Sequence, residues 1–299
     1  MKLRDSFHPY AALTILFWSL AYVLTRFALK HFSVFSLGFL RYFSASCALL
    51  VMIPIFKIKP PKKADVKWFL VSGFFGFFLY VIAFNKGCET VTAATSSVII
   101  ACVPVITAIL ARVFYHEKLG VIKWTAIVIE FTGVTVLTLM NHAFSLNHGI
   151  IWLLLASVSL GVYNLLQRKL TKTYSGFQAS SYSIFLGTAM LAVFLPTSIK
   201  EVIIAPPYQL LYVAILGVFS SAIAFVSWAQ AFKKAGNTSS VSNYMFVTPF
   251  LTALLGFIIA DEQLDMPTIT GGMIILTGVL IFNFGDKLYE LVLHRRRCV

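Results

Sequence analysis

Long apolar stretches separated by short polar loops run along almost the whole chain. A helix needs about 20 consecutive apolar residues to cross the hydrocarbon core of a bilayer. Ten stretches approach that length, and each is predicted to form a membrane-spanning helix. They are called segments 1 to 10 in chain order, and they cover roughly residues 10–29, 36–55, 68–85, 92–114, 121–140, 149–168, 177–195, 208–231, 239–260 and 268–285.

The composition supports the same interpretation. Of the 299 residues, 59% are hydrophobic and 12% are charged, whereas a soluble domain carries about 25% charged residues. A soluble fold of this chain would expose large apolar areas to water. The sequence therefore predicts an all-α integral membrane protein in contact with the lipid bilayer.

Lys and Arg residues are distributed unevenly between alternate loops. With both termini in the cytoplasm, the inner loops and tails hold 19 of the 24 basic residues and the outer loops hold 4. Because basic loops remain on the cytoplasmic side, we expect ten crossings in a plasma membrane, or in the inner membrane of a bacterium. This placement explains the net charge of +13 without a nucleic-acid partner.

Two parts of the chain repeat each other. Residues 95–134 align without a gap with residues 240–279, at a constant offset of 145. The aligned pairs include Ser97 with Ser242, Pro104 with Pro249, Glu117 with Glu262 and Gly133 with Gly278. The first segments of the two parts match more loosely, at a slightly shorter offset that pairs Arg26 with Arg168 and Lys30 with Lys172.

The repeat predicts two five-helix halves, residues 1–145 and 146–286, followed by a basic cytoplasmic tail, residues 287–299. Because each half has an odd number of helices, the second half enters the membrane inverted relative to the first. Inverted repeats are typical of carriers that expose a central site to each side of the membrane in turn.

A specific set of repeated residues resembles one family of carriers. Each half has a proline in its fourth helix, a Glu-x-Leu after that helix and a glycine in the next helix. These residues are Pro104, Glu117-Lys118-Leu119 and Gly133, then Pro249, Glu262-Gln263-Leu264 and Gly278. On these positions the chain resembles the ten-helix EamA family of the drug/metabolite transporter superfamily.

The resemblance implies a central cavity lined by segments 1, 3, 4, 6, 8 and 9. Segments 5 and 10 are expected at the back, where they offer a surface for a homodimer, and segments 2 and 7 are expected to move. Members of the family export amino acids, metabolites or drugs, and some import metabolites.

Polar and aromatic side chains form stripes at helical spacing on several segments. Because a polar group facing lipid is costly, these stripes are expected to line the cavity, although hydrogen bonding between helices would place them equally well. The candidate substrate-binding residues are Trp18, Tyr22, Tyr80, Ser97, Tyr163, Asn164, Gln167, Trp228, Asn243 and Tyr244.

A second group of residues is expected to shape or gate the cavity. Pro104 and Pro249 each remove a backbone hydrogen bond and are predicted to kink their helices. Glu117 and Glu262 are predicted to cap the helix that follows each of them, at equivalent positions of two gates. Arg41 lies near the outer end of segment 2, where it can reach the headgroups or meet an anionic group at the cavity mouth.

Glu130 is the acidic residue deepest within a segment, near the centre of segment 5. An acidic residue at that depth costs roughly 2.5–3.5 kcal/mol, so it is expected to be protonated or paired. Proton coupling is one interpretation. A structural role is favoured, because the resemblance places segment 5 away from the cavity.

The chain lacks the motifs of an intramembrane enzyme or an ATPase. No HExxH, GxSxG or phosphate-binding loop occurs, and no catalytic residue, metal site or cofactor is predicted. The predicted function is a secondary transporter of an amino acid or a related small polar or amphipathic metabolite, and the resemblance favours export.

Two alternatives remain open at this point. A carrier of nucleotide sugars or phosphorylated metabolites would require several Lys or Arg residues in the cavity, and Arg41 alone lies at a suitable depth. A scaffold or channel without alternating access is disfavoured by the inverted repeat.

Overall fold

In the computed structural model, residues 6–55, 57–91, 93–139, 148–260 and 266–297 are described. All regular structure within these ranges is helical, which confirms the predicted all-α class for this part of the chain. The helices are His8–Ala28 (segment 1), Val34–Ile55 (segment 2), Lys63–Thr90 (segment 3), Ala93–Ile100 and Val103–Tyr115 (segment 4), Val121–Leu139 (segment 5), His148–Leu170 (segment 6), Gly176–Ile203 (segment 7), Pro207–Lys234 (segment 8), Thr238–Ser242, Asn243–Val247 and Thr248–Ala260 (segment 9) and Met266–Arg297 (segment 10).

Among the described residues, 8 helices are long and apolar enough to cross a membrane, and a shorter apolar stretch covers Ile269–Gly285. The helix of segment 5 is not one of the eight. The last helix continues to Arg297, into the region predicted as a tail. The structure thus supports an integral membrane protein, and ten crossings remain a prediction.

The outward faces of the helices carry large apolar side chains. Burying apolar surface is worth about 25 cal/mol per Å² in water, so such faces are stable when lipid covers them. Examples that are more than two-fifths exposed are Leu16, Phe43, Val51, Phe114, Val158, Ile203 and Phe257.

The packing of the helices is symmetric under exchange of the two predicted halves. Segment 6 packs on segments 3 and 4, and segment 1 packs correspondingly on segments 8 and 9. Segment 2 packs on segment 8, as segment 7 does on segment 3, and segments 5 and 10 pack extensively on each other.

Irregular helix geometry also recurs at matching places. A stretch of π-helix covers Phe74–Leu79 in segment 3, and another covers Val218–Ile223 in segment 8. Such stretches widen the helix and occur often at functional sites. The first stretch packs on segments 6 and 7, and the second packs on segments 1 and 2.

Pro104 and Pro249 lie at the starts of helices rather than in continuous kinked ones. A turn at residues 101 and 102 interrupts segment 4, and the helix Val103–Tyr115 begins there. In segment 9 a 3-10 stretch precedes the helix Thr248–Ala260. Proline is well suited to the first turn of a helix because its missing N–H would have no partner there.

Glycines allow segments 5 and 10 to approach closely. A Cβ atom added to Gly133 would lie 2.7 Å from the carbonyl oxygen of Gly271, and one added to Gly278 would lie 2.4 Å from Cγ of Glu130. Glu130 is fully buried here, and its Oε1 accepts a hydrogen bond of 2.9 Å from Asn243. The homodimer through segments 5 and 10 stays a prediction.

Candidate substrate site and its two ends

A small cavity lies where segments 1, 2, 3, 4 and 9 meet. Its volume is about 10 Å³, close to the space that one water molecule needs. The cavity is therefore closed around its lining side chains in this conformation. Those residues are Trp18, Ala21, Tyr22, Arg41, Tyr80, Phe84, Ile100, Met245 and Thr248.

Four of the nine lining residues are aromatic. The ring of Phe84 packs 5.2 Å from that of Tyr22 and 5.6 Å from that of Tyr80, measured between centroids. Trp18 packs 5.0 Å from Trp228, which lies behind it in segment 8. Three of the predicted substrate-binding residues, Trp18, Tyr22 and Tyr80, thus lie at one cavity, and the wall suits an apolar or ring-bearing solute.

The polar stripe on segment 6 is engaged with neighbouring helices. Trp228 donates from Nε1 to Oδ1 of Asn164 over 2.9 Å, and Asn164 donates to Thr107 over 3.1 Å. Gln167 donates to Ser72 over 3.1 Å. In this conformation these predicted substrate-binding side chains form hydrogen bonds between helices. Trp228 and Asn164 join segment 6 to segments 8 and 4, and Gln167 joins segment 6 to segment 3.

The remaining candidates also lie away from the cavity lining. Tyr163 is buried against the rings of Phe77 and Phe225, and Ser97 is buried in the first helix of segment 4. Asn243 donates to Glu130, as described above. Tyr244 is in hydrogen-bond contact with His8, 2.5 Å from hydroxyl to Nδ1.

Arg41 reaches into the molecule rather than toward the headgroups. Its side chain is 2% exposed, and its Nε donates to Oγ of Ser221 over 2.7 Å. A weaker bond of 3.4 Å joins Nη2 to the carbonyl oxygen of Ser220. The sequence allowed Arg41 to lie at the headgroups or at the cavity, and in the structure it lies at the cavity.

Sequence reasoning missed five lining residues. Four of them, Ala21, Phe84, Ile100 and Met245, are apolar, and an apolar side chain in a membrane helix carries no signal of facing a cavity. Thr248 lies one helical turn after Tyr244, on the polar stripe of segment 9 that was expected to line the cavity, but it was not among the named candidates.

Glu117 fastens one end of the molecule across the two halves. Its carboxylate accepts bonds of 2.8 and 2.7 Å from the N–H and hydroxyl of Thr238, and longer bonds of 3.4 and 3.2 Å from those of Ser239. His116 ends the preceding helix in a left-handed conformation, with φ of 53°, and turns the chain toward this contact. Glu117 was predicted to cap the helix that follows it, but it caps the start of segment 9 instead. Glu262 lies outside the described residues.

Arg168 reinforces the same end. One guanidinium nitrogen donates to the carbonyl oxygens of Phe232 and Ala235 over 3.0 and 2.6 Å, and the other donates to that of Gly236 over 2.6 Å. These carbonyls terminate segment 8, where the helix dipole favours a cation.

Tyr174 adds a further contact at this end. Its hydroxyl donates to Oδ2 of Asp65 over 2.6 Å and accepts from the N–H of Lys62 over 3.1 Å. Desolvation and the bond to the Asp65 carboxylate raise the pKa of Tyr174. The hydroxyl therefore remains a neutral donor, and the loop after segment 2 stays joined to the loop after segment 6.

The opposite end contains an open pocket of about 370 Å³. Arg26, the sequence match of Arg168, lines this pocket; it is exposed and has no hydrogen-bond acceptor among the described residues. Cys88 and Glu89, at the end of segment 3, also line the pocket. Its lining residues are Val23, Arg26, Phe27, Leu29, Lys30, Cys88, Glu89 and Ala93.

The open pocket adjoins the central cavity. Arg26 follows Tyr22 by four residues on segment 1, and Cys88 follows Phe84 by four residues on segment 3. Residues at this spacing lie one helical turn apart on the same face. The cavity is thus one turn from the open pocket at Arg26. At the other end Glu117 and Arg168 bond the helices to one another, and a separate pocket of about 690 Å³ lies between segments 3, 4 and 6.

Comparison with known proteins identifies the family. The model of the EamA-like transporter family matches residues 7–139 and 147–284. The chain belongs to the EamA-like transporter family. It is accordingly a membrane transporter and not an enzyme, and its relatives support a small metabolite as the substrate.

The similar proteins carry different functional names. The chain is 28% identical to the uncharacterized transporter YdfC of Bacillus subtilis, over 90% of this chain and 88% of that protein. It is also 28% identical to a probable terminal-alkyne amino-acid exporter of Streptantibioticus cattleyicolor, over 91% of each. An S-adenosylmethionine uptake transporter of Rickettsia bellii is 24% identical over 89% of each.

A solved crystal structure has a similar fold. It matches with a TM-score of 0.74 over 94% of this chain and 97% of its own, at 16% sequence identity. At that identity the likeness concerns the fold alone.

Proposed function

We propose that this protein is a secondary transporter that exports an amino acid or a closely related small metabolite by alternating access. One observation carries this proposal: an aromatic cavity lies one helical turn from an open pocket at the Arg26 end, while Glu117 and Arg168 bond the helices to one another at the other end. Equivalent arginines in opposite environments are what a two-gate carrier presents when one gate is open.

The proposal includes ten crossings in two inverted halves. The family model matches two stretches of similar length, and the helix packing is symmetric under their exchange. The distribution of Lys and Arg supports a cytoplasmic location for both termini and for the Arg168 end. The open pocket at Arg26 faces outward.

The substrate class rests on the cavity and on the relatives. The lining contains a single cation, Arg41, whereas a dianionic phosphate is usually held by several. Two relatives are named for a terminal-alkyne amino acid and for S-adenosylmethionine, and both compounds contain an amino-acid head group. Export is proposed because the exporter is the more similar of the two, at 28% against 24% identity.

A transport assay tests the proposal. Purified protein in liposomes loaded with the twenty amino acids, two nucleotide sugars and two sugar phosphates is expected to release amino acids faster than protein-free liposomes do, as measured by mass spectrometry with and without a pH gradient. Release of the phosphorylated compounds alone would establish the alternative substrate class, and release of nothing would contradict the carrier function.

A matched pair of variants links that flux to the cavity. Phe84→Ala removes a lining ring and is expected to lower amino-acid release about tenfold or more, the loss typical of a buried aromatic anchor. Phe43→Ala removes a ring that is 49% exposed on the outer face of segment 2 and is expected to leave release unchanged. Gel filtration of both variants verifies that they fold; equal flux from both would contradict the cavity assignment.

A further inference from the structure

The charge of Arg41 is buried without an anionic partner in the described part of the chain. Its protein contacts are the hydroxyl of Ser221, the carbonyl of Ser220 and the ring of Tyr42, whose centroid is 5.5 Å from Cζ. The third nitrogen, Nη1, is buried and has no hydrogen-bond partner among the described residues. None of these contacts supplies a negative charge.

A buried cation normally pairs with an anion, because desolvating an isolated charge is costly. Arginine can only donate hydrogen bonds, through five N–H groups arranged to match a planar carboxylate. The serine contacts and the tyrosine ring use Nε, Nη2 and one face of the guanidinium group. They fix the position of the guanidinium group and leave Nη1 without a partner among the described residues.

Two further polar atoms with no partner among the described residues belong to the same cavity lining. They are Nε1 of Trp18 and Oγ1 of Thr248, on side chains that are 7% and 3% exposed. The indole N–H, like the guanidinium, is solely a donor. Three polar groups from segments 1, 2 and 9, two of them donors only, thus belong to one site.

The rest of the lining defines the other part of a ligand. Ala21, Phe84, Ile100 and Met245 present apolar surface, and Tyr22 and Tyr80 present phenol rings. No acidic side chain occurs among the described lining residues. A solute that fits both parts has one acceptor group of negative charge and an apolar body. Because the cavity holds only about 10 Å³, the surrounding helices must separate to admit it.

We propose that the substrate carries a carboxylate, which binds Nη1 of Arg41 and Nε1 of Trp18, and an apolar side chain, which contacts Phe84, Ile100 and Met245. Thr248 adds a hydroxyl to the carboxylate site. This inference rests on the proposed function, since it names the substrate class of the same cavity. A single guanidinium matches one carboxylate in charge.

Paired probes test the inference. Liposomes containing the full-length protein are loaded with L-leucine, L-methionine and L-phenylalanine together with the amide of each, which replaces the carboxylate by an uncharged group. The wild-type protein is expected to release the acids at least tenfold faster than the amides, because a hydrogen bond to a charged group is worth about 10- to 150-fold in binding.

Four variants separate the role of Arg41 from folding. Arg41→Gln is expected to abolish the preference for acids over amides, and Trp18→Phe, which keeps a ring and removes the N–H, is expected to reduce it. Arg112→Gln makes the same change at an exposed arginine and is expected to retain the wild-type preference. Arg41→Lys keeps the charge, so it is expected to retain part of the preference and shows that the site still folds.

The outcomes distinguish this inference from the function on which it rests. Release of acids and amides at equal rates by the wild-type protein, or an unchanged preference in a folded Arg41→Gln variant, would overturn carboxylate binding and leave the carrier function standing. Release of no amino acid of any kind in the broader assay would overturn both.

Discussion

Replacing Gly133 with alanine is expected to destabilise the protein by about 3 kcal/mol, the upper part of the range for overpacking a tight interior. The added methyl carbon would lie 2.7 Å from the carbonyl oxygen of Gly271 and 2.8 Å from the backbone nitrogen of Ile275. Both are backbone atoms, so the clash is relieved only if segments 5 and 10 move apart. Thermal unfolding of the purified protein, followed by gel filtration after heating, measures the effect.

Alanine substitutions at two other glycines are expected to cost less stability than Gly133→Ala. At Gly278 the closest atom is Cγ of Glu130, which belongs to a side chain that can shift, and the backbone atoms lie 3.1 Å away. Gly236 has nothing within 4 Å of an added Cβ. The expected loss of stability is therefore largest for Gly133→Ala, smaller for Gly278→Ala and about 0.5 kcal/mol or less for Gly236→Ala. Equal losses at all three would contradict the described approach of the two helices.

Replacing Arg168 with glutamine is expected to release the closed end of the transporter. The variant loses the bonds that the guanidinium makes to three carbonyl oxygens at the end of segment 8. Hydrogen bonds to a charged group contribute about 1.5–3 kcal/mol each, so a loss of about 3 kcal/mol would change the ratio of closed to open states by more than a hundredfold. We expect net transport to fall at least tenfold, because a carrier must close each end in turn.

The opened end can be measured directly. In protein whose native cysteines are replaced by serine, Ala235→Cys reports on a position that is 5% exposed. Its rate of reaction with a maleimide is expected to rise at least tenfold when Arg168→Gln is added. Arg26→Gln is the matched control, because Arg26 makes no hydrogen bond to a described residue in this conformation. If both arginine variants raise the rate equally, Arg168 is not the group that holds this end closed.

Much of this architecture is predictable because membrane helices are selected by length and hydrophobicity alone. A run of apolar residues specifies a helix whatever packs against it, and the predicted segments coincide with helices wherever the structure describes them. The breaks were harder to place. Pro104 indicated an irregularity in segment 4, but the position of the turn at residues 101 and 102 could not be predicted from the sequence.

The candidate site was predictable only in part, for a related reason. Helical spacing shows that Tyr163, Asn164 and Gln167 avoid lipid, yet it does not say whether the neighbour is a solute or another helix. Asn164 and Gln167 bond to neighbouring helices in this conformation. The partner of Glu117 was equally hidden, since it lies more than 120 residues away in the other half.

Arg41 illustrates the limit most clearly. Its position near the end of segment 2 allowed an exposed or a buried guanidinium, and only the approach of Ser220 and Ser221 in segment 8 selects the buried one. Both serines lie in the π-helical stretch Val218–Ile223, for which the sequence offers no comparable signal.

The central claim, that one cavity is exposed to each side of the membrane in turn, is tested most directly by labelling Ala21→Cys in a background without Cys47, Cys88, Cys102 and Cys298. Ala21 lines the cavity, and a membrane-impermeant maleimide is applied from either side of oriented vesicles. The account predicts modification mainly from the outer side, and a switch to the cytoplasmic side when Arg168→Gln is added. Modification from the same side in both proteins, or from both sides equally in each, would contradict alternating access.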